Sequence, residues 1–247
     1  MGKTKIIAHR GASGYAPENT IIAFKKAIEM GVDGLELDVQ LSKDGVAVIC
    51  HDEKVDRTTN GTGFIKDLTL KEIEELDAGS WFDERFCGEK IPTLEELMYL
   101  IRDENILLNI EIKNNIIQYE GIVEKIIKII EGYNKEKDTI ISSFNHNSLL
   151  KVKKINNNLK TGALYMSGLV EPWNYAKRIN VDALHPFFYN IKKELVKKCL
   201  DNEILVNPFT VDTHKDIRKM IDAKVTGIIT NYPDRAKSII KGVCDYD

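Results

Sequence analysis

Two histidines, His9 and His51, each close a short apolar run, and each stands beside a charged residue, Arg10 and Asp52. Imidazole titrates near neutrality, so a pair of imidazoles can take up and deliver protons at pH 7. Glu36 and Asp38 are separated by one residue within an apolar run. On a strand, side chains at i and i+2 point to the same side. Two carboxylates held side by side repel unless a cation sits between them. Glu111 occupies a similar late position on a later run. Three carboxylates suit a hard, oxygen-preferring ion, either Mg²⁺ or Ca²⁺. Arg10 and Lys113 offer positive charge to phosphate oxygens, Arg as a planar fork and Lys as a point charge. The chemistry that uses all of these is metal-assisted cleavage of a phosphodiester, with one histidine as base and the other as acid. The plainer alternative is that the carboxylates are exposed or salt-bridged and that Arg10 and Lys113 pair with them. His146, His185 and His214 lack this context and are read as structural, hydrogen-bonded side chains.

Residues about 100 positions apart converge only if the ends of their strands share a face, as they do at the C-terminal mouth of a parallel barrel. The runs Lys5–His9, Gly34–Val39, Ile106–Ile112, Thr139–Ser142, Thr161–Leu164, Ala183–His185, Ile204–Val206 and Gly227–Thr230 read as eight strands. Helical patterns separate most of them. Ile122, Val123, Ile126, Ile127 and Ile130 share one face at helical spacing. Asn19 or Thr20 caps a helix that runs to Met30, and Gly31 ends it. A ninth run, Val46–Cys50, follows the second strand by only Leu41-Ser42-Lys43-Asp44-Gly45. Five residues cannot make a parallel crossover, and Asp44-Gly45 is a turn signal, so this run is the return arm of a hairpin. The expected fold is therefore α/β, a (β/α)₈ TIM barrel, with an open doubly wound sheet as the alternative. Residues 1–247 form one domain, with a small insertion after the second strand's hairpin, from about Asp52 to Pro92. That insertion is turn-rich at Thr58–Gly63 and carries a short helical pattern with Leu70, Ile73 and Leu76 on one side. Gly11-Ala12-Ser13-Gly14 matches neither a Walker A nor a GxGxxG loop and reads as a tight turn between the first strand and first helix.

Composition narrows the class. The chain has 247 residues, 43% of them hydrophobic, enough for a real core. A net charge of -3 gives no electrostatic reason to expect nucleic acid or an anionic membrane as partner. No apolar run approaches the roughly 18 residues that would span a bilayer. The opening residues reach His9-Arg10 after three apolar positions, too short for a signal-peptide core, so the expected location is the cytoplasm. Cys50, Cys87, Cys199 and Cys244 are scattered, form no CxxC pair, and read as free thiols in a reducing compartment.

Several stretches are familiar as a set. His9-Arg10-Gly11-Ala12-Ser13-Gly14-Tyr15-Ala16-Pro17-Glu18-Asn19-Thr20 resembles the opening signature of the glycerophosphodiester phosphodiesterase family. So does Leu35-Glu36-Leu37-Asp38-Val39-Gln40-Leu41-Ser42-Lys43-Asp44-Gly45, followed by His51-Asp52. Asp56–Gly63 and Leu76–Leu94 resemble that family's inserted region. Asn109-Ile110-Glu111-Ile112-Lys113 and Thr230-Asn231-Tyr232-Pro233-Asp234 resemble its later motifs. The match spans nearly the whole chain and is most specific in its first half.

The resemblance implies a barrel of the kind shared with phosphoinositide phospholipases C. It implies metal ligation by Glu36, Asp38 and Glu111, acid/base roles for His9 and His51, and phosphate contacts from Arg10 and Lys113. It sharpens the substrate to a glycerophosphodiester, a small molecule cleaved to sn-glycerol 3-phosphate and an alcohol. The nucleophile is either water or the substrate's own glycerol 2-hydroxyl. One departure stands out: where the family often carries Trp-Thr-Val-Asn, this chain has Phe209-Thr210-Val211-Asp212. Phe209 still walls a substrate pocket but lacks the indole N–H donor, which bears on head-group preference. Two other functions stay in view: a lysophospholipase D-type activity, needing an acyl channel from Trp81, Phe82, Phe144 and Phe209, and a non-catalytic barrel that binds phosphate esters.

Overall fold

The structure, a computed structural model, describes residues 3–242. Its first strand, β1 (Lys5–His9), leads through a tight turn to helix α1 (Ile21–Glu29). In that turn Gly11 has φ 81°, and a Cβ there would meet the backbone of Ala23 at 2.6 Å, so only glycine fits. Thr20 caps α1 through its Oγ1, Met30 is the C-cap, and Gly31 follows at φ 67°.

Strand β2 (Gly34–Leu41) runs two residues beyond the expected Val39. The extra residues pair with β3 (Ala47–Ile49), Gln40 opposite Val48 and Leu41 opposite Ala47, in an antiparallel hairpin that projects past the barrel. The insertion then supplies a one-and-a-half-turn helix, α2 (Leu70–Glu75), capped at Thr69 by a capping box. Ile73 of α2 joins Val48, Cys50, Val55, Ile65, Ala78 and Ile91 in a separate small apolar cluster.

Helix α3 (Leu94–Leu100) then returns the chain to the barrel wall, where β4 (Leu107–Ile112), α4 (Ile122–Gly132), β5 (Thr139–Ser143), α5 (His146–Ile155) and β6 (Lys160–Tyr165) alternate. After these come α6 (Pro172–Arg178), β7 (Ala183–Pro186), α7 (Lys193–Asp201), β8 (Leu205–Val206), α8 (His214–Asp222), β9 (Gly227–Thr230) and α9 (Pro233–Ile240). The spatial order is β8-β7-β6-β5-β4-β2-β1-β9, every neighbour in that path parallel. The two ends meet through single backbone bonds: Thr226 N–H to Val206 O (2.9 Å), Ile229 N–H to Pro208 O (3.1 Å) and Val211 N–H to Ile229 O (2.9 Å). Pro208 has no N–H to offer, which is one reason the seam is not a regular ladder. The sheet is thus a nearly closed eight-stranded barrel ringed by helices, as the alternation of strands and helices predicts, and not an open doubly wound sheet.

Helix packing follows the apolar stripes. In α4, Ile122, Val123, Ile126, Ile127, Ile129 and Ile130 are all buried against the barrel. Inside the barrel, cross-strand register aligns His9 with Glu36, Glu36 with Asn109, and Asp38 with Glu111. Residues aligned this way lie side by side on one face of the sheet, so a layer of polar side chains is built at the C-terminal mouth. His185 is buried within the barrel, accepts from Asn207 Nδ2 at 3.1 Å, and is held neutral by burial, which lowers its pKa to about 3. His146 is also structural: Tyr175 Oη and the Leu164 carbonyl engage its two nitrogens at 2.6 and 2.8 Å. His214 opens α8. Cys50, Cys87 and Cys199 are free thiols; Cys244 lies outside the described residues.

Candidate active site

Three carboxylates form the centre. Glu36, Asp38 and Glu111 are buried, and each offers an oxygen within 4.8 Å of the others. Glu36 and Asp38 are two inward positions of β2, and Glu111 is the matching position of β4. Burial and repulsion from Asp38 and Glu111 push Glu36 well above the usual carboxylate range. Burial and the Asp38 charge push Glu111 up to about 7. Burial would also raise Asp38, but the Arg10 guanidinium and the Lys113 ammonium outweigh it and hold Asp38 below its ordinary value.

Asp38 Oδ1 is buried and has no hydrogen-bond donor, while its Oδ2 accepts from Asn19 Nδ2 at 2.9 Å. An orphaned buried carboxylate oxygen, beside two more carboxylates, is an all-oxygen donor set for a hard divalent cation. The residues therefore fit a metal ion.

Arg10 and Lys113 flank the cluster and are ion-paired with it. Lys113 Nζ donates to Glu111 Oε1 at 2.9 Å and lies 3.8 Å from Asp38 Oδ1. Arg10 Nε lies 3.2 Å from Asp38 Oδ2, and its Nη1 donates to Glu18 Oε1 at 2.7 Å. Arg10 sits at φ 55°, a left-handed conformation uncommon for a residue with a side chain, and this turns its N–H onto Glu36 Oε2 at 2.9 Å.

His9 stands at the edge of the carboxylates, with Nε2 3.9 Å from Glu36 Oε2. Its Nδ1 is 2.7 Å from Asn231 Oδ1. Asn231 is itself oriented, since its Nδ2 donates to Asp212 Oδ2 at 2.7 Å and its Oδ1 accepts from Ser13 Oγ at 2.7 Å. An amide so held presents an acceptor to His9, so the ring proton resides on Nδ1 and the Nε2 lone pair faces the carboxylates. Burial, then the charge of Arg10, lowers the His9 pKa to about 3 against the pull of Asn231.

His51 is held differently. Its Nδ1 is 2.6 Å from Asp52 Oδ1. Arg57 donates to Asp52 from Nε at 2.6 Å and to Glu18 from Nη1 and Nη2 at 3.0 and 2.7 Å. Arg57 belongs to the insertion, so the insertion ties the loop after β1 to the loop after β3. The Arg57 bonds, against a burial penalty, bring Asp52 to about 2, so it is ionised at neutral pH.

All eight residues singled out in the sequence can now be placed. His9, Arg10, Glu36, Asp38, Glu111 and Lys113 share one interlinked set of contacts. His51 joins through Asp52, Arg57 and Glu18. Phe209 lies after β8, where its ring meets Phe144 and Phe187 edge-on at 5.9 and 6.1 Å.

Residues 9–235 match the model of the glycerophosphoryl diester phosphodiesterase family. The chain belongs to that family.

A glycerophosphodiester phosphodiesterase of Caldanaerobacter subterraneus subsp. tengcongensis is 56% identical, over 97% of this chain and 98% of that one. One from Bacillus subtilis is 37% identical, over 96% and 86% of the two chains. Among solved structures, an Oleispira antarctica phosphodiesterase in complex with the product sn-glycerol-3-phosphate has a TM-score of 0.89 at 29% identity, covering 97% of each chain. The glycerophosphodiester phosphodiesterase of Agrobacterium tumefaciens has a TM-score of 0.84 at 28% identity, covering 95% of this chain and 99% of that one. Family membership makes this chain an enzyme of the phosphoric diester hydrolase class, on the family's TIM barrel.

Sequence reasoning about single residues passed over several parts of the site. Glu18 and Asn19 lie within the opening signature, Asn231 within the last of the later motifs and Asp212 within the stretch that departs from the family, yet none of the four was singled out as a site residue, Asn19 being read only as a helix cap. Asn231 follows β9 and Asp212 follows β8, both at the mouth, so the rule that marks polar residues just past barrel strands would have found them. Arg57 carries no such signal, because it lies in a turn-rich insertion.

Proposed function

We propose that this protein hydrolyses glycerophosphodiesters to sn-glycerol 3-phosphate and an alcohol, using a divalent cation, Mg²⁺ or Ca²⁺, and the two histidines His9 and His51. The observation that carries the proposal is the cluster of Glu36, Asp38 and Glu111, whose oxygens converge within 4.8 Å beside Arg10, Lys113 and His9. The bound cation would neutralise phosphate charge and polarise a P–O bond. Glu36, Asp38 and Glu111 would hold it. Arg10 and Lys113, already tethered by carboxylates, are placed to bind phosphate oxygens once the substrate and cation redistribute the charge.

The two histidines differ in their partners, which supports different roles for them. Neutral His9, its Nδ1–H on an amide, presents an Nε2 lone pair and accepts the proton of the nucleophile, water or the substrate's 2-hydroxyl. His51 has a carboxylate, Asp52, on its Nδ1. Asp52 accepts from Nδ1 and orients the ring, which leaves Nε2 as the nitrogen turned to give a proton to the departing alkoxide. Attack by water releases the alcohol and sn-glycerol 3-phosphate directly; attack by the 2-hydroxyl releases the alcohol and leaves a cyclic phosphate, which water must then open to sn-glycerol 3-phosphate, the compound bound in the Oleispira antarctica structure.

The substrate is a small molecule, and no nucleic-acid partner is invoked for a chain of net charge -3. Among the described residues no helix is long and apolar enough to cross a membrane, and with three free thiols we place the enzyme in the cytoplasm. We take the chain as one barrel domain, with residues 52–92 as an insertion that packs its own small cluster. The four aromatic candidates for an acyl channel divide into two groups: Phe82 packs with Trp81 and Phe86, whereas Phe209 packs with Phe144 and Phe187. That division gives no support to a lysophospholipid reading.

The test is turnover of glycerophosphocholine and diesters with other head groups, followed by release of sn-glycerol 3-phosphate. Activity should vanish on chelation and return with Mg²⁺ or Ca²⁺. Full activity in a verified metal-free preparation would overturn the metal role, and no release of sn-glycerol 3-phosphate from any diester would overturn the substrate.

A further inference from the structure

Strand β2 carries a third inward side chain beyond the two carboxylates. Glu36, Asp38 and Gln40 are at i, i+2 and i+4, so they point to the same side of the strand. Gln40 is fully buried, yet it is not part of the carboxylate cluster. Its Nε2 lies within hydrogen-bond distance of three consecutive carbonyls: Cys50 O at 2.9 Å, His51 O at 3.3 Å and Asp52 O at 2.6 Å. Its Oε1 accepts from Tyr119 Oη at 2.9 Å. Tyr119 lies in the loop between β4 and α4, six residues after Lys113.

We propose that Gln40, locked by Tyr119, is the positioning residue for His51: it fixes the turn from which His51 reaches the substrate. The amide has no freedom to flip. Turned round, its oxygen would face three carbonyl oxygens and those carbonyls would lose their donor. The phenol of Tyr119 therefore acts as donor, and both amide hydrogens are shared among the three carbonyls. The Asp52 carbonyl has a second, weaker donor in the Cys50 thiol at 3.7 Å, so Gln40 is the strong donor at this turn, and losing it would disfavour this path of the chain.

The placement matters for reach. A strand rises roughly 3.3 Å per residue, so Gln40 sits about 6.6 Å along β2 from Asp38. One rigid strand thus sets the spacing between the proposed metal ligands and the backbone that carries His51. Asp52 and Arg57 fix the imidazole ring, and Gln40 fixes the main chain beneath it. No other common side chain does this at that depth. Glu has no donors, Asn is one methylene shorter, and Lys cannot accept from Tyr119.

The function of this anchor rests on the reading of His51 as the acid, but its placement of His51 does not. Two measurements separate them. The first is the ring ¹⁵N spectrum of His51 in holoenzyme, which reports which ring nitrogens carry protons and whether the ring has one environment or several. Gln40→Met, close in shape but without polar atoms, should turn one defined state into a mixture, and Tyr119→Phe should do so to a smaller extent. The second is a double-mutant cycle with His51→Ala on a diester with an alkyl leaving group. A positioned acid gives about 10²–10⁴-fold in rate, and Gln40→Met should forfeit roughly 10–10²-fold in kcat with KM little changed. In the His51→Ala background the same substitution should change kcat by less than about twofold, because residues acting as one unit are non-additive.

An unchanged His51 spectrum in a folded Gln40→Met or Tyr119→Phe variant overturns the proposal. So does a loss that multiplies fully with that of His51→Ala. If His51→Ala keeps full activity while Gln40→Met still disperses the His51 spectrum, the anchor stands and the acid assignment falls.

Discussion

His9 and Asn231 lie 222 positions apart in the chain and meet at 2.7 Å across the β1–β9 junction, ring nitrogen to amide oxygen. Asp212 holds the far side of the same amide. Burial and the Arg10 charge keep this histidine neutral, with a pKa lowered to about 3, while the relay fixes which ring nitrogen carries the proton. Replacing the amide by a carboxylate, Asn231→Asp, should raise the His9 pKa, since an anionic partner favours imidazolium. The protonated ring cannot accept a proton, so the acid limb of the kcat/KM profile should move to higher pH. Asn231→Ala should lower the rate roughly 10–10²-fold, within the span of a positioned proton-transfer group. An unmoved acid limb in Asn231→Asp would show that His9 is not the base.

A pH-dependent response to metal follows from the carboxylates. Glu111 is raised from 4.5 to about 7, and Glu36 is raised as well. A group whose folded-state pKa is raised contributes stability below its unfolded value and loses it as pH rises through the folded value. For Glu111 that window runs from about pH 4.5 to about pH 7. The metal-free protein should lose melting temperature across it on account of this site. A cation binds the ionised carboxylates, so the gain on adding Mg²⁺ or Ca²⁺ should grow across the same window. At 100 times Kd the gain is about 2.7 kcal/mol, or roughly 5–10 °C for a chain of this size. Asp52, lowered to about 2, acts only at the acid end and does not confuse the measurement. Thermal scans with and without cation, repeated on Glu111→Gln, check this; a gain independent of pH would refute it.

The split between the histidines is open to a leaving-group test. A general acid matters most for a poor leaving group, whereas a base matters for every substrate. His51→Ala should therefore be largely rescued by a diester with a nitrophenol leaving group, and His9→Ala should not. Each should cost roughly 10²–10⁴-fold on an alkyl diester. Equal losses on both substrate types would sink the assignment and leave the pair acting together on phosphate.

Phe209 gives a prediction about specificity. Its ring is partly exposed and packs edge-on with Phe144 and Phe187, beyond the strand end nearest the seam of the barrel. It offers apolar surface and no donor. Phe209→Ala should reorder kcat/KM among choline, ethanolamine and glycerol head groups by about 10-fold, the scale of 1.4 kcal/mol. Phe209→Trp restores a donor and should favour head groups that can accept from it. A uniform loss on every head group, with a matching drop in melting temperature, would make Phe209 simple packing.

Much of the site was legible before any coordinates. Strand periodicity alone puts Glu36 and Asp38 on one side of β2, and the five residues from Leu41 to Gly45 leave a hairpin as the only connection to β3. Alternating apolar runs and helical stripes count out a barrel, and the mouth of a barrel is where polar strand ends collect. These are local facts, fixed by backbone geometry within a few residues, so the order of amino acids suffices to state them. What the sequence could not state is which distant groups set each side chain's charge and direction. The Asp212–Asn231–His9 relay exists because barrel closure brings the loops after β8 and β9 beside β1. Arg57 joins Glu18 to Asp52 because the insertion folds back over the mouth. Gln40 supports His51 because β2 outruns the barrel and pairs with β3. Arg10 turns its N–H onto Glu36 through a left-handed backbone that no rule of periodicity foretells. Protonation and orientation depend on burial and on charges within a few ångströms, and those distances are set by closure of the whole sheet.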